Sequence, residues 1–186
     1  NTSPEGGDGG NVIAPLPTGT MISVWDTNLR HEWETYDAAT DTHKWGDVSC
    51  STITLPMHGT VSADVDWGDG TVDRVTSAFP THTYTTTGTQ TVTINGSFSD
   101  WGGETSSDGN PSFIREWTPE CITSVTEWGT TGTTSLRDAF YYAYNLTSVE
   151  EIPSGVTDMN EAFYRAMSFN SPVSSWDTSK VTDMSS

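Results

Sequence analysis

Leu136-Arg137-Asp138-Ala139-Phe140-Tyr141-Tyr142-Ala143 returns 23 residues later as Met159-Asn160-Glu161-Ala162-Phe163-Tyr164-Arg165-Ala166. Met184 follows Met159 by 25. Upstream, Thr123-Ser124-Val125-Thr126-Glu127-Trp128 matches Thr147-Ser148-Val149-Glu150-Glu151-Ile152 at a distance of 24, and Trp176 follows Ile152 by 24. A fixed period of this length marks a repeat architecture, in which each unit buries its apolar face on the next. Leu136, Ala139, Phe140 and Ala143 fall at i, i+3, i+4 and i+7, as do Met159, Ala162, Phe163 and Ala166. That spacing predicts one apolar face of a short helix, with Thr157 and Asp158 where an N-cap belongs. Each unit is therefore expected to be a short strand (around Val125, Val149 and Val173), a turn and a helix.

Toward the N-terminus the periodicity changes to two. Val61, Ala63, Val65 and Trp67 alternate with Ser62, Asp64 and Asp66, the pattern of a half-buried strand. Gly68-Asp69-Gly70 then supplies the positive φ of a tight hairpin turn, and Thr71–Val75 returns. Further short strands are expected at Met21–Trp25, Ser51–Leu55, His82–Tyr84 and Val92–Phe98. Residues 26–48, polar with scattered aromatics, predict a long loop or insertion. The chain thus divides into 1–20, a Gly/Pro-rich arm or linker; 21–98, an antiparallel β-sandwich; 99–120, a connector with one strand near Phe113–Trp117; and 121–186, the repeats. The expected fold class is mainly β with short helices.

Composition narrows the function. The chain has 186 residues and a formal net charge of −18, from 25 Asp+Glu against 7 Lys+Arg. No basic footprint exists to displace counterions from phosphate, which excludes non-specific nucleic-acid binding and disfavours docking on anionic lipid. No apolar run approaches the length of a membrane span, so no membrane insertion is expected in this segment. With 8 Trp, 6 Tyr and 6 Phe the chain can still build a core despite only 33% hydrophobic residues.

Trp67-Gly68-Asp69-Gly70-Thr71, His82-Thr83-Tyr84 and Gly88-Thr89-Gln90-Thr91-Val92-Thr93-Ile94 together resemble the PKD domain, an immunoglobulin-like sandwich of extracellular proteins. Ala166-Met167-Ser168-Phe169-Asn170 and Ser175-Trp176-Asp177-Thr178-Ser179-Lys180-Val181-Thr182-Asp183-Met184 resemble the BspA-type leucine-rich repeats of bacterial and protist surface proteins. The two resemblances imply a PKD-like sandwich followed by a short leucine-rich-repeat solenoid, located outside the cell or at its surface. The family pattern runs on past Ser186, so the natural protein is expected to continue, with an intermolecular contact at this end.

No catalytic signature is present. His31-Glu32 lacks the second His of a zinc-protease helix, and neither Cys has a CxxC partner. His82 is expected to pack or hydrogen-bond at a strand start, and His31, His43 and His58 to lie in loops. Cys50 and Cys121 are expected to form a disulfide in an extracellular chain, two buried thiols being the alternative. No cofactor is expected, with calcium the one open case: Asp64, Asp66 and Asp69 share a strand face and the adjoining turn. The competing use of these carboxylates is to hydrogen-bond the turn's own backbone.

Subtracting the apolar face of the first repeat leaves Tyr141, Tyr142 and Tyr144, whose counterparts one repeat later are Tyr164, Arg165 and Met167. Tyr and Arg on an outer surface are what protein or glycan contacts use; packing against the sandwich or the next repeat is the other use of such rings. The expected function is non-enzymatic: adhesion or ligand recognition at a cell surface, binding a glycan or protein. The alternatives are a structural subunit of an extracellular filament or layer, whose partners are further copies of itself, and an accessory binding module of a secreted hydrolase.

Overall fold

The computed structural model describes residues 19–37, 42–103 and 117–185. The arm over residues 1–18 and most of the expected strand near Phe113–Trp117 lie outside them. In chain order the strands are β1 (Thr20–Asp26), β2 (Arg30–Asp37), β3 (Thr42–Ser49), β4 (Thr52–Thr54), β5 (Met57–Asp66), β6 (Val72–Val75), β7 (Thr81–Thr83), β8 (Thr89–Trp101), β9 (Ile122–Glu127) and β10 (Ser148–Val149). One 3-10 turn, Pro119–Cys121, precedes β9. The described chain is mainly β.

Six strands form one sheet in the order β10-β9-β1-β8-β5-β6, antiparallel except for the parallel pair β9 and β10. The alternation in β5 does what its pattern requires: Val61, Ala63 and Val65 are buried, as are Met21 and Trp25 of β1 and Val92, Ile94 and Phe98 of β8. Gly68, at φ +85°, closes the β5–β6 hairpin where an added Cβ would lie 2.5 Å from the Thr91 carbonyl oxygen. Any side chain there would meet both backbone strain and a clash. β4 and β7 form a separate two-stranded pair, with Ile53 and Leu55 buried in the same apolar cluster as the main sheet.

Residues 26–48, expected as a long loop, are largely a hairpin. β2 and β3 pair antiparallel in unbroken register from Arg30 opposite Ser49 to Asp37 opposite Thr42. Their sequence alternates without an apolar face, so the period-2 signal that identifies a half-buried strand is weak although the backbone pairs fully. His31 and His43 accordingly sit on strands, and so does His58, which stacks on Phe79 at 5.3 Å.

The sheet does not stop at the first half of the chain. β9 pairs with the free edge of β1, and β10 lies parallel beside β9. Beyond them, copies of the repeat lie side by side in parallel. Bridges run Asp100 to Ser135 to Asp158 to Asp183. The amides of Thr147, Thr157 and Thr182 donate to the carbonyls of Thr123, Thr134 and Thr157, at 2.8, 2.9 and 2.8 Å. The same threonine hydroxyls donate to those carbonyls as well.

The expected short helices are absent: Leu136–Ala143 and Met159–Ala166 are successive turns. Asp138, Tyr142, Glu161 and Arg165 have φ of +54°, +61°, +50° and +58°, two left-handed residues in each copy at the same places. The cause is competition for hydrogen bonds. The amides of Leu136, Asp138, Phe140 and Tyr142 donate to the carbonyls of Asp158, Asn160, Ala162 and Tyr164 in the next copy. The intervening amides of Ala139, Tyr141 and Ala143 close local turns onto Leu136, Asp138 and Phe140. A helix keeps all its interior amides for itself, so alternate donation to a neighbour excludes it. The apolar positions are nonetheless all buried in the first copy, because one turn after another reproduces the i, i+3, i+4 spacing.

Asp138 is under double stress there. Burial, and then the neighbouring Glu161 carboxylate, push its pKa up to about 6, and its backbone is left-handed. Asn tolerates that conformation better than most residues and carries no charge. Asp138→Asn should therefore raise stability at pH 7, by on the order of 1–2 kcal/mol. A folded pKa above the unfolded value means that the penalty is absent below about 4 and complete above about 6. The parent protein should thus gain stability on acidification from pH 7 to 5, and the variant should lose that part of the pH dependence. Urea unfolding at the two pH values reads both effects.

Candidate recognition surface

Because the two repeat copies lie in register, residues 22 or 23 apart in sequence become neighbours in space. Tyr141 stacks on Tyr164, ring centres 4.9 Å apart and planes 19° from parallel. Tyr142 lies 4.6 Å from Tyr141, 5.9 Å from Tyr164 and 5.6 Å from Tyr144, the last two edge-on. The Arg165 guanidinium sits 5.3 Å from the Tyr142 ring centre and 5.6 Å from that of Tyr164, within cation–π range. The structure therefore gathers Tyr141, Tyr142, Tyr144, Tyr164 and Arg165 into one cluster. Tyr164 and Arg165 are exposed, and the three rings of the first copy are half-buried.

The left-handed turns set this geometry. With Tyr142 and Arg165 at equivalent left-handed positions, the Tyr142 amide donates to the Tyr164 carbonyl at 2.8 Å and holds the two aromatic segments at one level. Burial, and then the neighbouring Tyr142, push the Tyr141 phenol well above the usual tyrosine range. Hydrogen bonding to Tyr164, with the nearby Tyr142, raises Arg165 further still. Tyr141 thus stays a neutral phenol, and Arg165 a cation, over the whole ordinary pH range. Glu161 flanks it beside Tyr141 and Asp138, a neighbour visible only once the two copies are aligned in space.

The aspartates proposed for calcium do not converge. Asp64 pairs with Arg74 at 3.0 Å. Asp66 accepts the Gly68 amide at 2.9 Å. Asp69 accepts from the Thr71 amide and hydroxyl, at 3.0 and 2.6 Å, and pairs with His82 Nε2 at 2.8 Å. The Thr71 hydroxyl, and then His82, lower the Asp69 pKa to about 2. Turn-building is thus the use the structure gives these carboxylates. Among the described residues no group of three His, Cys, Asp or Glu is placed to hold a metal ion. His82 is packed as its position suggested, stacked on Trp67 at 4.9 Å and edge-on to Tyr84 at 4.6 Å. The Tyr84 hydroxyl donates to the Trp67 carbonyl at 2.8 Å.

Cys50, after β3, and Cys121, before β9, are joined in a disulfide. It ties the strand that opens the repeats to the end of the β2–β3 hairpin.

Residues 111–186 match the model of a family described as Mycoplasma protein of unknown function, DUF285. No curated protein matches the chain, and no solved structure does.

Proposed function

We propose that this chain is a non-enzymatic recognition module of a bacterial surface protein, located outside the cell. On this reading it comprises a PKD-like sandwich followed by a short BspA-type leucine-rich-repeat solenoid. It serves adhesion or ligand binding, to a glycan or a protein. The observation that supports the reading is the gathering of four tyrosine rings and an arginine into one cluster, of which Tyr164 and Arg165 are exposed. Tyr and Arg are the residues that most often dominate binding energy at interfaces, and tyrosine presents a large rigid face with few torsions to freeze. A disulfide, which persists mainly in oxidising compartments, agrees with an extracellular site. The side-by-side copies supply rigidity: each backbone is hydrogen-bonded to the next, so the rings are held before a ligand arrives.

Tyr164→Ala and Tyr142→Ala should each weaken adhesion to the target surface by about tenfold or more, within the usual hot-spot range. Stability should fall by only about 0.5–1.5 kcal/mol, the worth of an aromatic pair. Unchanged adhesion in both variants would remove the reading. A structural role in a filament or layer is favoured by a different observation: Met167, Val173 and Met184 are 75%, 50% and 60% exposed. Light scattering that grows with protein concentration would support that second reading.

A further inference from the structure

We propose that Asp138 and Glu161 form a proton-operated latch between the first two repeat copies, which tightens the junction under the tyrosine cluster in mildly acidic surroundings and loosens it at neutral pH. The inference rests on the recognition reading above only for what the latch controls.

The first observation is a pair of carboxylates without compensation. Asp138 and Glu161 occupy equivalent positions of neighbouring copies, both half-buried and both left-handed. Nearby aspartates are put to use: Asp158 accepts the Asn160 amide at 2.9 Å, and Asp183 accepts the Ser185 amide at 3.0 Å. Among the described residues no hydrogen bond or ion pair reaches the carboxylate of Asp138 or of Glu161. The adjacent cation is committed elsewhere. Arg137 places Nε 3.0 Å from Asp158, one terminal nitrogen 2.5 Å from the Asn160 side-chain oxygen and the other 3.7 Å from Asp183. From the end of the sheet Asp138 is covered by Gly103, where an added Cβ would lie 3.0 Å from Oδ2. The charged groups acting on Asp138 are therefore Glu161 and Asp158 of the second copy and Arg137 of its own. Glu161 also acts on the Tyr141 phenol.

The second observation is where the pair sits. The amides of Asp138, Phe140 and Tyr142 cross to the second copy at 3.0, 2.8 and 2.8 Å, and the Tyr141 amide closes a turn on the Asp138 carbonyl at 3.2 Å. The carboxylates thus lie at the root of the junction that carries Tyr141, Tyr142 and Tyr164. When Asp138 is ionised, two half-buried like charges face each other across that junction. When it is protonated, the repulsion is gone and the carboxyl gains an O–H, a donor for the facing carboxylate. Burial, and then Glu161, set that change at a pKa of about 6.

The test is native-state hydrogen exchange of the full chain, followed by NMR at the Phe140 and Tyr142 amides and corrected for intrinsic exchange. Their protection should be about tenfold higher at pH 5 than at pH 7, from a folded pKa of about 6 against 3.8. Asp138→Asn should hold the high protection at both pH values. Glu161→Gln leaves the burial and removes the facing charge, and should keep only part of the response. No difference between the two pH values in the parent would overturn the latch, as would an equal response in parent and Asp138→Asn. Protection restored at pH 7 by calcium chloride alone would also overturn it, in favour of a cation between the carboxylates. The experiment involves no ligand, so adhesion of the tyrosine variants judges the recognition reading separately.

Discussion

Phe140→Ala is expected to destabilise the protein by about 3–5 kcal/mol, the usual cost of removing a buried phenyl ring. Phe140 is completely buried and occupies the middle of a continuous aromatic column. Phe98 lies 5.7 Å from Trp101, Trp101 5.7 Å from Trp128, Trp128 6.4 Å from Phe140, Phe140 5.1 Å from Phe163, and Phe163 5.6 Å from Trp176. The column starts on β8 and ends in the last repeat copy. A cavity at Phe140 therefore interrupts packing between the sheet and the repeats, and little backbone can collapse into it, because the amides of Asp138, Phe140 and Tyr142 are committed to the next copy. Against a typical total stability of about 5–15 kcal/mol, the loss is large. Urea unfolding followed by tryptophan fluorescence measures it. A loss below about 1 kcal/mol would mean that the ring is not closely packed.

The second large effect is expected from the disulfide. Cys50 and Cys121 are 71 residues apart, and closing a loop of that length in the unfolded chain corresponds to about 4 kcal/mol in the chain-entropy model. Both residues are buried, so replacing the pair with Ala adds a small packing loss. The double variant, or the reduced protein, should unfold at markedly lower urea. The β9 strand directly after Cys121 should exchange its amide hydrogens faster, since β9 reaches β1 across a connection that the bridge shortens. Equal midpoints for oxidised and reduced protein would show that the bridge does not limit the unfolded chain.

Much of the sheet was legible because its signals are local. Val61–Trp67 alternates, Gly68-Asp69-Gly70 punctuates, and the β5–β6 hairpin follows from a turn that only a few residue types can make. The repeat was legible for a different reason: two copies of Ala-Phe-Tyr at one spacing are improbable by chance, and side-by-side stacking is the physical outcome of such a repeat. The helix within each copy was misread because i, i+3, i+4, i+7 identifies the buried positions, not the hydrogen-bond partners. Residues such as Asp138 and Tyr142 enter the left-handed region only because a neighbouring copy accepts their amides, and no local pattern announces that. The attachment of β9 to β1 is a pairing across about 100 residues, beyond any short-range signal.

The same division holds for the site. Tyr141, Tyr142 and Tyr144 stood out once the apolar positions were subtracted, and aligning the copies added Tyr164 and Arg165. Their stacking order, the guanidinium within reach of two rings, and the flanking Glu161 depend on register in three dimensions. At Asp64, Asp66 and Asp69 the sequence left calcium and turn-building open, because both use the same oxygens; the backbone bonds to Asp66 and Asp69 appear only in the folded turn.

The most direct measurement is hydroxyl-radical footprinting of the full chain, free and bound to the glycan that gives it the strongest signal on an array. Tyr142, Tyr144 and Tyr164 should be protected on binding, while Met184, 60% exposed, keeps its oxidation rate and serves as the internal control. Protection of Met184 and Val173 with unchanged tyrosines would contradict the account and move recognition to the end of the repeats.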